Sequence, residues 1–539
     1  MHAARTEVDL LIVGGGPTGL TAAITAHSHG LSVEVIDSNT ERTPYSKALV
    51  LHSRSLEVFD DLGCAEALVA AGRPFRALHV QTGREELACI EFARLDWGGA
   101  PFPMWLTLPQ SSTERCLEEH LEHLGTRVRR GTTARAVVDR GDHVEVESVG
   151  PDGAIERRRA AWVLGADGAR SRVRAATGIP LDGEVTPELF VLADVDMQSK
   201  LADAEGYNVV SPHGVLLVVP MDVPGKVRLI AHLPGLRPEA LPTLDAQFFQ
   251  RILDERLPGA AATITALGWT SSFTPKQLLA RRYRSGRVFL AGDAAHLHSP
   301  VGGQGLNTGI QDAYDLVWRI ALARRGHASP GLLDTYERER GCAVAGTMIR
   351  DVARATRALT LEHPVARTIR NRVGRALLSL PAVRDRLGAS VGMLRLRYPR
   401  SCAIAATRTL GLRGPRPGER VPLSIDHPAL SNALRGRAHV LIVFTGEDVA
   451  DGRRAATTLY RALPAVAREH TASVVVSREP GELEVGDPDG ALHDRFGVSA
   501  ATVFWARPDR CVGYRGAASD VRGLTDYCEG VFGGDGSAP

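Results

Sequence analysis

Lysine is almost missing from this chain: only Lys47, Lys200, Lys226 and Lys276 occur, so arginine carries nearly all the positive charge. The skew reflects genome composition rather than a task. Net charge is only +2, which argues against a general nucleic-acid binder, because such proteins neutralise many phosphates at once. Cysteine is sparse and scattered, at positions 64, 89, 116, 342, 402, 511 and 528, with no CxxC pair. Neither a redox dithiol nor a zinc ribbon is suggested, no metal site is expected, and the thiols read as the reduced, structural ones of a cytoplasmic protein. No apolar run approaches the ~20 residues of a membrane span. A first strand beginning near Val8 is expected to leave no room for a signal peptide. What is there is a chain of 539 residues, 44% apolar and 23% charged, with the composition of a soluble globular protein. That length exceeds one ordinary core and predicts two or three domains.

The most informative stretch runs from Gly292 to Gly309. It follows a buried-strand run, Val288 to Ala291, and precedes a helical pattern from about Ile310 to Arg325. Asp293 ends the strand, and Gly302, Gly303 and Gly305 lead into the helix. Glycine lets a ligand approach the backbone closely. The helix beyond offers free N–H groups and the positive end of its dipole.

The start of the chain has a related design. Val8 to Val13 is a β-type run, followed by Gly14, Gly16, Pro17, Thr18 and Gly19 in a GxGxxG pattern, then by a small-residue helix from Leu20 to Gly30. The three glycines serve a tight turn, close approach of backbone to a pyrophosphate, and close packing of helix on strand. A second strand, Ser32 to Ile36, ends in Asp37, 23 residues after Gly14, where a carboxylate binds ribose hydroxyls and disfavours a 2′-phosphate. A dinucleotide of the FAD or NAD type is expected. Downstream there is no second GxGxxG with a strand before it, so any further nucleotide must dock elsewhere.

Further along, Arg54 to Leu62 reads as an amphipathic helix, Gln110 leads into another at Thr113 to Leu124, and strands are expected at Val144 to Val149 and Arg158 to Leu164. The last ends in Asp167-Gly168, with Arg174 following. Taken alone, an Asp-Gly pair is an ordinary turn. Taken together, the GxGxxG at 14 to 19, Asp167-Gly168 with Arg174, and Gly292-Asp293 with its glycine-rich loop resemble, in order and spacing, the FAD-dependent aromatic hydroxylases. These are single-component flavoprotein monooxygenases similar to para-hydroxybenzoate hydroxylase. The segments Ser46 to Phe59 and Gln110 to Leu124 resemble the polyketide and phenol hydroxylase branch of that family.

The resemblance covers about residues 8 to 400. It implies an α/β fold with a Rossmann-like FAD-binding domain at 1–178 and 284–400, an inserted α+β substrate domain at 179–283 with strands near 76–109, and a thioredoxin-like C-terminal domain at 401–539. It implies bound FAD, NADPH or NADH as transient co-substrate, dioxygen, and an aromatic substrate hydroxylated through a flavin C4a-hydroperoxide. Gly14, Gly16 and Gly19 would cradle the pyrophosphate with Pro17 and Thr18 beside them, and Asp37 would hold the adenosine ribose. Lys47 and Gln110 would contact the flavin side, Asp167 both FAD and the nicotinamide nucleotide, and Asp293 the ribityl chain. Pro300 would lie beside flavin and substrate, with Gly303, Gly305, Leu306 and Asn307 at the pyrimidine ring. Two positions depart from the family: Lys47 stands where arginine is usual, and Asp315, after Tyr314, stands where asparagine is common. Lysine lacks the planar fork of arginine.

Gly214 to Met221 and Lys226 to Leu233 read as a hairpin turning at Asp222 to Gly225. Arg228 and His232 share one face by alternation. They are either substrate contacts under the family's roof sheet or residues on a solvent face. A base for phenol deprotonation is not assigned; His232, His296 and His298 qualify only because imidazole titrates near neutrality, and structural hydrogen bonding is the alternative for the last two. The stretch 351–400 is helical in pattern and arginine-rich, a solvated face rather than a membrane surface. Gly414 to Gly418 reads as a linker, and the domain beyond it, without a cysteine pair at Thr445 to Asp448, is expected to serve packing, solubility or homodimer formation. Other readings stay open: a Baeyer–Villiger oxygenase, a flavin reductase or dehydrogenase, and a nonenzymatic FAD-bound interaction protein.

Overall fold

The computed structural model describes residues 7–45, 48–82, 85–185, 188–297, 302–343, 388–406, 413–423, 427–436, 438–482 and 484–533. Lys47, His298, Pro300 and residues 351–387 of the basic stretch lie outside them.

A nearly continuous apolar run suits a strand covered on both faces, and Glu7–Val13 sits in the middle of a parallel sheet. Ile155–Gly165 pairs with it on one side and Val33–Ile36 on the other, and Val288–Leu290 lies beyond Ile155–Gly165. In register, Val13 stands opposite both Gly165 and Ile36, and Gly165 opposite Leu290. The C-terminal ends of four strands therefore form a single row. The residues that follow that row are Gly14, Asp37, Ala166-Asp167 and Ala291-Gly292-Asp293, so segments far apart in sequence share one edge of the sheet.

Two helices rise from this edge, Pro17–Ser28 and Gln304–Arg324. Both begin before their apolar periodicity does, because their first turns are capped by glycine rather than marked by hydrophobic spacing. Gly16 is extended with Pro17 at the first helical position, the place where a missing N–H costs nothing. Gly303 caps the second helix in the left-handed conformation at φ 63°. Gln110 is likewise the first residue of its helix, Gln110–His123.

A seven-stranded sheet stands beside this unit, in the order Thr263–Phe273, Leu189–Gln198, Lys226–Leu233, Gly214–Pro220, Glu205–Ser211, Ala77–Thr82, Glu85–Glu91. The helix Ala246–Arg256 packs on one face through Phe248, Phe249, Ile252 and Leu253, against Leu229, Ala231 and Leu233 of the central strand. Arg228 and His232 point to the other face, yet they are only 2% and 4% exposed. The solvent-face reading is thus corrected: alternation places them opposite the helix, but Asp194 and Trp269 lie against Arg228, and Glu188 and Phe190 against His232, and both are buried.

Beyond residue 400 a sheet runs Ala405–Ala406, Val512–Ala517, Thr502–Ala506, His439–Phe444, Thr471–Ser477, Val485–Gly486. His439–Phe444 and Thr471–Ser477 are parallel, and Thr502–Ala506 runs antiparallel to the first. Its core is not closed on itself. Trp318, Leu322 and Leu332, from before residue 400, share a hydrophobic cluster with Leu441, Val443, Trp505 and Phe532. The expected linker is packed as well: a Cβ on Gly414 would stand 1.9 Å from the Phe496 carbonyl oxygen, and the Gly418 N–H donates to Val512 O at 2.8 Å. At Gly418 as well a Cβ would stand 2.4 Å from Tyr398 O, so both glycines occupy places where a side chain does not fit.

Candidate functional site

The glycines of the first loop divide into two kinds. A Cβ on Gly19 would lie 1.9 Å from Gly14 O, and one on Gly14, at φ 115°, 2.3 Å from Ala166 O. These two let the helix, the first strand and the Asp167 loop meet. Around Gly16 the nearest atom is Glu114 Oε1 at 4.0 Å, so its Cβ side is open, as a backbone cradle for a pyrophosphate requires. Asp37 closes the loop from the neighbouring strand, accepting from Gly15 N–H at 2.6 Å and Asn39 N–H at 2.7 Å.

On the other side, one oxygen of Asp167 caps the helix Arg172–Thr177, accepting from Arg172 N–H at 2.7 Å and Val173 N–H at 3.2 Å. Its second oxygen, Oδ1, is buried with no partner among the described residues. A buried acceptor left open in this way is what a ligand hydroxyl satisfies. Arg174 donates to Ala294 O at 2.9 Å, tying this loop to the Gly292–Ala294 turn on which Asp293 stands exposed. Thr18 packs between Gly292 and Gly309: a Cβ on either glycine would meet its hydroxyl oxygen, at 2.7 and 2.2 Å.

At the start of the long helix, Asn307 is fully committed to the chain. Its Oδ1 accepts from His52 N–H at 2.9 Å, and its Nδ2 donates to Val50 O at 2.9 Å and Gly303 O at 2.8 Å. The N–H groups of the first turn, at Gln304, Gly305 and Leu306, precede the helix's own hydrogen bonding and face outward from it. Gln110 joins the segment near Ala48, accepting from Ala48 N–H at 3.2 Å, and its amide donates to Glu114 at 2.8 Å. Burial pushes the Glu114 carboxyl up, with Gln110 opposing.

Arg228 grips Asp194 with Nε and Nη2, at 2.7 and 2.8 Å, and lies 5.5 Å from the ring centre of Trp269, which stacks on Tyr45 at 5.8 Å. His232 bonds Glu188 through Nε2 and lies beside Phe190. Both therefore sit on the sheet face opposite the helix, each held by a carboxylate. His296 is buried against Asp312 at 2.6 Å.

Asp312 is a group that sequence reasoning missed. It accepts from Gly292 N–H at 3.0 Å, from His296, and from Arg340 Nε at 2.6 Å, fixing the turn of Asp293 to the long helix. Burial disfavours its charge, but Arg340 and His296 beside it hold the carboxylate well below the usual range. Nothing in the local pattern separates Asp312 from an ordinary polar helix residue.

Asp315, the position that departs from the family pattern, sits in the interface with the C-terminal part, facing Arg507 at 3.0 Å and Arg319 at 2.9 Å. Here two arginines, 319 and 507, meet three carboxylates, Asp315, Glu339 and Asp509. Burial, with Asp509 facing it, pushes the Asp315 carboxyl up to about 8. In the unfolded chain it titrates near ~4. The folded state thus keeps a proton that the unfolded state has released, and this term makes stability fall as pH rises from about 4 to 8. Asp315→Asn removes that slope. The melting temperature of the variant relative to the parent is expected to improve between pH 5 and pH 8, and parallel profiles would place the proton elsewhere.

A parallel sheet whose strand ends carry an open glycine loop, an acid and a glycine-capped helix is the frame of a dinucleotide-binding protein. The chain matches the FAD binding domain family model over residues 7–351 and belongs to that family, the flavin-dependent monooxygenases. It is 34% identical over 533 residues to 6-methylpretetramide 4-monooxygenase of Streptomyces rimosus, covering 96% of this chain and 92% of that protein. Rifampicin monooxygenase of Streptomyces venezuelae is 35% identical over 394 residues, covering 72% and 79%. Among solved structures, the OxyS anhydrotetracycline hydroxylase from Streptomyces rimosus superposes with a TM-score of 0.75 at 28% identity, over 98% of this chain and 100% of that one. A ternary complex of aklavinone-11 hydroxylase with FAD and aklavinone gives 0.75 at 27% identity, over 97% and 100%.

Proposed function

We propose that this flavoprotein monooxygenase hydroxylates a multi-ring phenolic substrate of the polyketide type, consuming NADPH or NADH and dioxygen. The convergence of Gly14, Asp37, Asp167 and Asp293 on one register row carries the reading, because it forms a site that can follow a dinucleotide from ribose to ribityl chain. A relative matched over 92% of its own length is, by its name, a monooxygenase of 6-methylpretetramide. Bound FAD supplies the hydride and dioxygen chemistry that side chains lack.

The chain's own groups have distinct tasks in this reading. Gly16 leaves room for the pyrophosphate, Asp37 accepts from the adenosine ribose, and Asp167 Oδ1 and Asp293 accept from hydroxyls. The N-terminus of Gln304–Arg324 stabilises negative charge on the reduced ring by ~0.3–1 kcal/mol when exposed and up to ~2 kcal/mol when partly buried. Lys47 and Pro300 complete the flavin side. The sheet face with Arg228, Trp269 and His232 roofs the substrate and excludes water. Beyond residue 400, the parallel β-α-β unit followed by an antiparallel pair supports a thioredoxin-like arrangement without its cysteines. The domain limits of the sequence reading, a cytoplasmic setting and a homodimer belong to the same proposal, the last to be read by sedimentation.

Purified protein is expected to be yellow and to retain FAD. NADPH or NADH oxidation should rise with multi-ring phenols, with one oxygen atom entering a ring carbon. Insertion next to a ketone would replace this reading with a Baeyer–Villiger one, and a colourless protein that cannot take up FAD would end it. Asp293→Ala should weaken FAD binding by about tenfold, ~1.4 kcal/mol, measured by fluorescence quenching; unchanged affinity would remove Asp293 from the site.

A further inference from the structure

Away from the dinucleotide site, a second polar cluster lies where the long helix meets the C-terminal part. His327 stands just past the C-terminal end of Gln304–Arg324, where Gly326 turns left-handed at φ 73° and the His327 N–H donates back to Leu322 O at 3.0 Å. His470 ends the short helix Ala465–Glu469, its N–H donating to Ala467 O at 3.2 Å. The two rings meet across the seam: His327 Nδ1 is 2.7 Å from His470 Nε2, with ring centres 5.0 Å apart. Glu469 completes the group, and one ligand atom from each of the three side chains lies within 4.8 Å of the other two. Both histidines are half-buried and Glu469 is exposed, so an ion can reach the group from solvent. The histidines are 143 residues apart, so no ligand spacing in the sequence announces the cluster.

Backbone hydrogen bonds hold both imidazoles in place. The His327 carbonyl accepts from Gly533 N–H at 3.0 Å and the His470 carbonyl from His439 N–H at 2.9 Å, while the His470 ring lies parallel to Phe532 at 6.1 Å. Side chains fixed in this way lose little freedom when they bind. The end of a 21-residue helix presents the negative pole of its dipole, which favours a cation. Arg325, two residues before His327, turns its guanidinium to Ala321 O and His29 O. Two imidazole nitrogens with one carboxylate oxygen suit zinc(II) and its neighbours among the divalent transition metals, whereas calcium and magnesium take oxygen. With Zn–N at about 2.0–2.1 Å, tetrahedral ligand atoms stand ~3.3 Å apart, so the facing nitrogens would part by about 0.6 Å and the carboxylate would swing in. Rotation about side-chain bonds achieves both. His427, Asp487 and Asp489 also come together, but Asp487 is already engaged by Leu492 N–H, His493 N–H and the His493 ring.

We propose that His327, His470 and Glu469 bind one divalent transition-metal ion, zinc(II) by the ligand set, which replaces the bond between the histidines and pins the C-terminal part to the end of the long helix. The proton between the facing nitrogens moves to the far nitrogen of its own ring, leaving two neutral imidazoles as ligands. The ion has a structural task, independent of the flavin reading.

Untagged full-length protein, stripped of metal with a chelator, is titrated with zinc chloride by calorimetry. One equivalent is expected to bind, and at a hundredfold excess over the dissociation constant the melting temperature should rise by about 2 °C or more. His327→Gln and His470→Gln each keep a hydrogen-bonding side chain at the seam and remove one ligand. Each should weaken zinc binding by at least about tenfold, and Glu469→Gln by about three- to tenfold. Metal-free, the three variants should melt within about 2 °C of the parent, which separates loss of a ligand from loss of the fold. A further arm needs no variant: in parent protein labelled with nitrogen-15 histidine, cobalt(II) should broaden the ring signals of His327 and His470 before those of other histidines. Absence of zinc binding, parent affinity in either histidine variant, or cobalt broadening that begins elsewhere would overturn the site. Parent affinity in Glu469→Gln would overturn the three-ligand set, and binding without a rise in melting temperature would overturn the pinning.

Discussion

Arg507→Leu is expected to cost about 3–5 kcal/mol of stability, the range for removing one partner from a buried ion pair. Arg507 is fully buried and donates to Glu339 at 2.7 Å, Asp315 at 3.0 Å and Asp509 at 3.0 Å. Leucine would leave these carboxylates to Arg319, in a place where water cannot replace the lost cation. Urea denaturation reads the loss; a change below ~1 kcal/mol would mean that the cluster is hydrated after all. Adding Glu339→Gln to Arg507→Leu should recover part of it, because a neutral amide carries a smaller desolvation penalty than an unpaired ion. The same contacts change what deletion of residues 402–539 would report. The cut would strip Arg507 from Asp315 and Glu339, strip Arg420 from Glu57, and open the core around Trp318. Loss of folding is the expected result, so packing is a requirement here and not merely a default role.

Gly19→Ala and Gly16→Ala should fail in different ways. At Gly19 the added methyl meets Gly14 O at 1.9 Å, a backbone atom that can yield only by separating the helix from the first strand. We expect both a loss of ~1–3 kcal/mol or more in stability, as for overpacking, and a colourless protein. At Gly16 no chain atom is closer than 4.0 Å, so the methyl fits the apoprotein and intrudes only where the pyrophosphate would lie. Here the apoprotein should melt within a degree or two of the parent while FAD affinity falls about tenfold or more, ~1.4 kcal/mol per decade. Equal FAD affinity in Gly16→Ala and the parent would move the pyrophosphate away from this loop.

The strand-end positions of the glycine motifs, Asp37, Asp167 and Asp293 could be read directly because what sets them is local. A turn that only glycine can make, or an acid ending a strand, leaves its mark within a few residues of itself. The helix starts at Pro17, Gln110 and Gln304 were less legible, since glycine or proline caps them and periodicity begins only a few residues later. Arg228 and His232 illustrate the limit of pattern: alternation gave their shared face, but not whether water or another layer covered it.

By itself, the amino-acid sequence determined the strand, loop and helix units and where the glycine loops fall between them, because backbone sterics and hydrophobic period act over short distances. Only the tertiary structure decided that four strand ends form one row, that Asp312, itself held by Arg340, locks the Asp293 turn by accepting from Gly292 N–H, and that Arg507 welds the last domain to Asp315. Charges and imidazoles acquire their roles from desolvation and from partners hundreds of residues away. No local period encodes either.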